Sequence, residues 1–566
     1  MATANLTEGP IGPALRSLAV PMGFGIVFLM LVNLVDTVYV GRLGVAPLAA
    51  MSFTFPVITA VMAIAMGLGV GSTSAIARAI GHGDRRVVRR LATHAMALAM
   101  LVVAVVSIAG IATQDAVFTA LGASDELLPL LRSYMTLWFA GVVFLIVPIV
   151  GNGALRAAGD AKTPMKMMMV AAVANFILDP LFIYGWGPFP RLELAGAALA
   201  TLIARALIFV YAIHVMRRED MLDIHLPSVA ELLGSWKTIL SVGGPAALSN
   251  LLGPVAAALL TAMIAAQGDA AIAAYGIGSR IESLLMIVPF ALTAALSPFI
   301  GQNWGAHKNQ RVSDAVRISL RISIAWCLGG LVILWFVGGP MSRVFTPDAD
   351  VEAALRVYFR VLPVGYVAIA VVNVVNSTFN AVDRAVRATL VQAARSLLLA
   401  IPLAWLGGQW LGLEGIYGGV VLAAFGASLL ALRWLPKVLD VDDHLHAEAR
   451  DDGPVSLDAF QGEVRARVQR LVDDLSPLEG VRVHPTRGNA VGFFMGTREL
   501  GHVHPAGHLD LALPVDVADR LIGDGVAEHH RHHHDCGWIT HRLQDDPDHA
   551  ESERLLTMAR DLFLAA

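Results

Sequence analysis

Charge is scarce in this sequence: Asp, Glu, Lys and Arg make up only 15% of 566 residues, while 56% are hydrophobic. Soluble globular domains carry about a quarter charged residues. With a mean hydropathy of +0.64, the chain reads as an integral membrane protein. Cysteine is nearly absent. Cys327, inside an apolar run, and Cys536, near the far end, exclude a disulfide framework and a four-cysteine zinc site. The opening MATANLTEGPIGPALRS lacks a basic stretch followed by a short apolar core and a small-residue cleavage site. No cleaved signal peptide is expected, and the first spanning helix serves for targeting. The net charge of −4 is small and unevenly placed, and no nucleic-acid partner is expected.

What the sequence does have is apolar runs, twelve of them. They lie near 16–40, 47–78, 92–113, 130–153, 165–187, 195–216, 237–265, 271–302, 316–338, 356–380, 388–411 and 414–435. Each is about the ~20 residues a spanning helix needs, or longer. Lys and Arg gather in alternate connections. Arg85, Arg86, Arg89 and Arg90 follow the second run, Arg156, Lys162 and Lys166 the fourth, and Arg217 and Arg218 the sixth. Lys308 and Arg311 follow the eighth and Arg384 and Arg387 the tenth, whereas 114–126 and 267–270 carry none. By the positive-inside rule both termini are cytoplasmic, in the cytoplasmic (inner) membrane.

The runs repeat at an offset of 224 residues: Pro21 maps to Pro245, Gly81 to Gly305, Leu131–Arg132–x–Tyr134 to Leu355–Arg356–x–Tyr358, Gly141 to Gly365 and Asn152 to Asn376. Six spans per repeat is an even number, so the halves share topology, as in carriers that rock two bundles about a central site. The expected architecture is an all-α membrane protein of twelve transmembrane helices in two six-helix lobes, residues 1–220 and 221–440.

Two residues of the first run are unusual for a plain anchor. Pro21 removes a backbone donor and lets the helix bend. Asp36 is a carboxylate that costs roughly 2.5–3.5 kcal/mol in a spanning helix; it faces a bundle interior or lies solvated in the headgroup region. In the fifth run Asn175 and Asp179 are four apart and share a helix face. Pro180 frees the Phe176 carbonyl beside them, and Thr201 near the start of the sixth run adds a hydroxyl. Oxygen ligands of this kind suit a proton or a hard cation such as sodium; separate interhelical hydrogen bonds are the plainer alternative. At the repeat offset Asp36, Asn175 and Asp179 map to Leu260, Leu399 and Leu403, which places the buried acids in the N-terminal half. Arg280 and Glu282 are two apart and not an obvious pair, and Gln302 and Asn303 read as interfacial. Met22, Met30, Met167, Met168, Met169 and Met286 could line an adaptable substrate surface or fill the core.

The segments NLVDTVYVGRLG, LRAAGDAKTPM, NFILDPLFIYG and GAALAT, in twelve spans, resemble multidrug and toxic compound extrusion (MATE) transporters, most like their DinF-like branch. The resemblance covers roughly residues 10–440. It implies that Asp36, Asn175, Asp179 and Thr201 form the family's N-lobe cation site and that Pro21 is the hinge of the first helix. The longer hairpin GPFPRLEL at 187–194 departs from the pattern and loosens the register of Thr201. The function implied is not enzymatic: a proton- or sodium-coupled antiporter exporting small cationic or amphiphilic compounds, a monomer among membrane lipids, with no cofactor beyond the coupling ion. A lipid-linked precursor flippase, or an enzyme or binding module in the tail, are the alternatives.

From about Val441 the composition changes. Residues 441–456 read as an acidic linker and 457–566 as a small soluble α+β domain. Its elements are a helix at 457–475, strands in VRVHP, AVGFFMGTRELGHVH and HLDLALP, a helix in VDVADRLIGDG, a strand near GWITHRL and a final helix. TRELGHVHPAGHLDL…HDCGWITHRL resembles an actinobacterial domain called "luciferase domain", from which no catalysis is inferred. HVH places two imidazoles on one strand face. His502, His504 and His508 are candidate metal ligands, although no spaced acid or cysteine motif completes a site in the sequence.

Overall fold

A computed structural model describes residues 6–41, 43, 45–83, 85–223, 227–306, 308–447, 457, 462–475, 481–486, 490–495, 498–505, 507–529, 538–543 and 550–564. The chain divides into two compact units, Met1–Val438 and Leu439–Ala566.

The first unit is helical: α1 (Ile11–Gly41), α2 (Val45–His82), α3 (Arg85–Ala120), α4 (Leu128–Ala140), α5 (Val143–Ala157), α6 (Lys162–Tyr184) and α7 (Glu193–Arg218). Then follow α8 (Val229–Ala265), α9 (Asp269–Leu285), α10 (Ile287–Gly305), α11 (Asn309–Phe345), α12 (Ala349–Ala381), α13 (Ala385–Ala393), a π-helical turn (Ala394–Leu399) and α14 (Ala400–Ala447). Among the described residues nine helical segments are long and apolar enough to cross a membrane, and eleven if the bent pairs α4–α5 and α9–α10 each count as one span. The segment Ala385–Pro436 is counted there once, yet it reverses at Gly412 (φ 55°, ψ −133°). Gly407 backs onto Gly415 and Gly419 onto Leu403 and Ala404, so this stretch is a hairpin and the twelfth span. The 44° bend between α9 and α10 has a chemical cause. Pro289 cannot donate to the carbonyl four residues back, and the Trp326 indole N–H donates to that Leu285 oxygen instead, at 2.8 Å.

The repeat is structural as well as sequential. α5 ends at Ala157 and α12 at Ala381, and both leave by the same turn. Asp160 N donates to Leu155 O at 3.0 Å and Arg384 N to Phe379 O at 2.7 Å. Gly159 (φ 85°) and Asp383 (φ 61°) hold the equivalent left-handed position, one that Gly and Asp tolerate better than most residues.

Each lobe then reaches into the other. Arg78 Nη1 on α2 donates to Ala381 O at 3.1 Å, and its repeat mate Gln302 Nε2 on α10 donates to Ala157 O at 2.7 Å. Both acceptors belong to last-turn carbonyls that have no partner within their own helix. Beside them Gly81 and Gly305, also repeat mates, stand back to back. A Cβ on Gly81 would lie 2.9 Å from Gly305 Cα, and one on Gly305 would run into Arg78 O.

Gln302 and Asn303 are therefore not interfacial: they are 1% and 0% exposed. Gln302 Oε1 accepts from Leu6 N at 3.1 Å and Asn303 Nδ2 donates to Leu6 O at 3.1 Å. Arg311 donates to Asn303 Oδ1 at 2.9 Å and to Gly9 O at 2.8 Å. The N-terminal segment is thereby strapped to the start of α11, far along the chain.

The second unit holds α15 (Gly462–Leu475), α16 (Val515–Gly523) and α17 (Ala550–Leu564) with β1 (Val481–Thr486), β2 (Ala490–Met495), β3 (Arg498–Val503), β4 (His508–Ala512), β5 (Glu528–His529) and β6 (Trp538–Arg542). The strands form one antiparallel sheet in the order β1-β2-β3-β4-β6-β5. The stretch 490–504, one strand candidate in the sequence, is two paired strands. Val491, Phe493, Val503, Leu509, Leu511 and Ile539 build the core together with Val468, Leu471 and Leu555 of the helices.

Overpacking the contact between the lobes tests its importance. Gly305→Val is expected to cost about 1–3 kcal/mol or more, read as a lowered unfolding temperature of detergent-purified protein. Gly339→Val, at a glycine with open space around it, should leave that temperature unchanged.

Candidate functional site

In the N-terminal lobe α6 packs along both α1 and α7, which brings together the three helices carrying the sequence-predicted residues. Asn175 and Asp179 are buried, at 4% and 1% exposure, and Asn175 Oδ1 has no hydrogen-bond partner among the described residues. A buried amide oxygen without a donor is the kind of atom a cation ligates. Gly196 presses onto the backbone of Phe182 and Ile183, where Leu192 N also donates to Phe182 O at 2.9 Å. From that contact α7 runs antiparallel to α6, so the half-buried Thr201 comes level with the turn between Asn175 and Asp179.

Two contacts fix α1 against α6. Gly25 faces Met168, and the Tyr184 hydroxyl donates to Tyr39 O at 2.8 Å. Asp36 lies between Gly25 and Tyr39, as Asn175 and Asp179 lie between Met168 and Tyr184. The helix thus carries Asp36 along the same stretch of α6; its side chain lies outside the described residues. Pro21 is buried and α1 runs through it as one helix. Gly23, two residues on, approaches Ala291 of α10. Met22, Met167 and Met286 are buried among apolar neighbours, which makes them core residues.

The C-terminal lobe holds an acid that sequence reasoning passed over. Glu282 lines a cavity of about 230 Å³ with Leu260, Tyr275, Tyr366, Arg395 and Tyr417. The Tyr358 hydroxyl donates to Glu282 Oε2 at 2.9 Å and that of Tyr366 at 3.4 Å. Arg395 sits in the π-helical turn, and its Nε, like the Tyr417 hydroxyl, has no hydrogen-bond partner among the described residues. The cavity stands where the repeat places the N-lobe set, since Leu260 occupies the position of Asp36. The available signal was Glu282 within an apolar run; its partners come from other helices, so no spacing announced them.

In the tail, His502 and His504 of β3 and the connection after it converge on Asp510 of β4. His508 shares the strand face of Asp510 but is not among the groups that converge. The missing acid is therefore supplied by the neighbouring strand.

The MatE family profile matches residues 21–181 and again 245–406, and a relative named as an FAD transporter in Shewanella oneidensis is 36% identical over 73% of this chain and 91% of its own. The chain belongs to the MATE family. It is a multi-pass membrane transporter rather than an enzyme. A probable multidrug resistance protein of Bacillus subtilis, YpnP, is 24% identical over 76% of this chain and 96% of its own. The crystal structure of a mutant of the MATE transporter VcmN from Vibrio cholerae superposes with a TM-score of 0.73 at 28% identity, covering 78% of this chain and 98% of that one. A "Luciferase domain" profile matches residues 497–559.

Removing the C-lobe acid should expose what it compensates. Glu282→Ala leaves the Tyr358 and Tyr366 hydroxyls without their acceptor and the cavity that Arg395 lines without its acid, a change expected to cost about 1–3 kcal/mol or more. Thermal unfolding in detergent measures it, and Leu260→Ala in the same cavity should cost less.

Proposed function

We propose that this MATE protein is a cation-coupled antiporter that exports small organic molecules, with Asp36, Asn175, Asp179 and Thr201 as its cation site and H+ or Na+ as the coupling ion. The observation carrying this reading is the buried Asn175–Asp179 turn of α6, held between the helix that bears Asp36 and the helix that bears Thr201. A cation entering between two carboxylates relieves their repulsion and the desolvation cost of an ionised acid. Neutralised, α1 can bend at Pro21, where its hydrogen-bond ladder is already interrupted. Coupling follows if cation and cargo favour different states of the lobes.

With the positive-inside orientation, both termini and the tail face the cytoplasm of the inner membrane, and the Arg78 and Gln302 bonds close the cytoplasmic end between the lobes. Releasing them would open the lobes inward for cargo loading. The relative named as an FAD transporter makes a flavin dinucleotide the first cargo to try. The more distant multidrug relatives make cationic dyes the second.

Inverted vesicles carrying the protein decide the matter, with a proton or a sodium gradient imposed separately and uptake of FAD or of a cationic dye followed. Uptake driven by one ion and reduced at least tenfold in Asp36→Asn and Asp179→Asn is expected. Gradient-driven uptake that persists in both variants would sink the assignment of the site. Uptake of FAD but of no dye would narrow the cargo to nucleotide-like flavins.

A further inference from the structure

The tail contains a metal-binding arrangement outside the transport machinery, and strand register creates it. His502 pairs directly with Asp510 across β3 and β4, and Asp510 with Thr540 across β4 and β6. Since side chains alternate along a strand, His502, Asp510 and Thr540 lie in one row on one face of the sheet. The opposite face carries Val503, Leu509, Leu511 and Ile539 into the core. His504, two residues beyond His502, projects to the same face as His502. On the other side His502 pairs with Gly492, which has no side chain to close the site.

The three ligand atoms meet tightly. His502 Nε2 is 3.0 Å from His504 Nε2 and 3.7 Å from Asp510 Oδ2, and His504 Nε2 is 3.2 Å from that oxygen. Metal–ligand bonds of about 2.0–2.1 Å put neighbouring ligands of one divalent ion roughly 3.0–3.4 Å apart in octahedral or tetrahedral geometry. Two sides of the triangle, 3.0 and 3.2 Å, fall in that range, and the third, 3.7 Å, is slightly longer. The second carboxylate oxygen is occupied elsewhere: the Thr540 hydroxyl donates to Asp510 Oδ1 at 2.6 Å, which aims Oδ2 at the imidazoles. Such an outer partner orients a metal ligand. Asp510 is 5% exposed and the His504 side chain 40% exposed, so the triangle is rooted in the sheet and open on one side. Trp538 shelters His502, with ring centroids 5.7 Å apart.

We propose that His502, His504 and Asp510 bind one first-row divalent transition-metal ion, with Thr540 fixing the carboxylate and the outward side left for water or a small ligand. Two imidazoles select such an ion over magnesium or calcium, which prefer all-oxygen sites. This assigns the site a resident metal, where the sequence offered His502, His504 and His508 as candidate ligands with no acid to complete them, and it stands apart from the coupling ion of the membrane unit.

The test uses the full-length protein, purified in detergent without a polyhistidine tag and titrated with Zn2+ against a chromogenic chelator. One tight equivalent per chain is expected, undisplaced by Mg2+ or Ca2+ in excess. His504→Ala and Asp510→Asn should each weaken that equivalent about 100-fold and Thr540→Val about 10-fold, while His508→Ala leaves it unchanged. A thermal melt that matches wild type for His504→Ala, a change at the solvent side, separates lost ligation from lost folding. Zinc bound equally well by His504→Ala and Asp510→Asn would overturn the proposal and assign the metal to the histidine-rich stretch 529–534. No tight equivalent in the wild-type protein would overturn it too.

Discussion

The two lobes meet where backbone touches backbone, and that contact sets the geometry of everything above it. Gly81 and Gly305 have no side chains to hold the helices apart. Their closeness puts Arg78 and Gln302 within reach of the Ala381 and Ala157 carbonyls. These carbonyls end helices, so each needs a donor from outside its own helix. Supplied by the opposite lobe, the donor also ties the lobes together. The net worth of one such bond is only about 1 kcal/mol, more where the donor is charged, because water can replace it. Several bonds of that size, Ser74 Oγ to Asn380 O at 2.6 Å among them, close the seam in a way that can be undone, as a carrier that must reopen requires. The N-terminal strap adds weight on one side only, through Gln302, Asn303 and Arg311.

The repeat provides one scaffold twice and fills it differently. In the C-terminal lobe, Glu282 receives two tyrosine hydroxyls and shares its cavity with Arg395, so its carboxyl group has fixed polar partners. The four candidate residues of the N-terminal lobe include no cationic side chain. At the positions that match Asp36, Asn175 and Asp179 the C-terminal lobe carries Leu260, Leu399 and Leu403, and its own acid stands elsewhere, on α9.

The architecture was legible because lipid leaves few solutions. Twelve apolar runs, alternating basic connections and an offset of 224 residues each follow from a one-dimensional pattern. Asn175 and Asp179 were equally legible, since helical period alone puts them on one face. What the sequence hid depended on contacts between distant segments. Gln302 and Asn303 sit at the end of an apolar run and look interfacial, but the chain folds its own N-terminus over them. Glu282 finds partners 76 and 84 residues away. The reversal at Gly412, by contrast, falls in the break between the runs 388–411 and 414–435, where glycine takes the positive φ the turn needs.

The tail hides its chemistry for a related reason, and its core explains why the ligands meet. HVH gives two imidazoles by period alone; the acid comes from the neighbouring strand, and only register decides which residue that is. A slip of one residue between β3 and β4 would turn every side chain of the slipped strand to the other face. It would send Leu509 and Leu511, which are fully buried, toward solvent and Asp510 into the hydrophobic core. Burying these leucines is worth about 1.5–3 kcal/mol each, and burying a lone carboxylate is costly. The apolar face therefore holds the register that the polar face uses. Asp510 reaches the two histidines because the leucines on either side of it cannot be anywhere else.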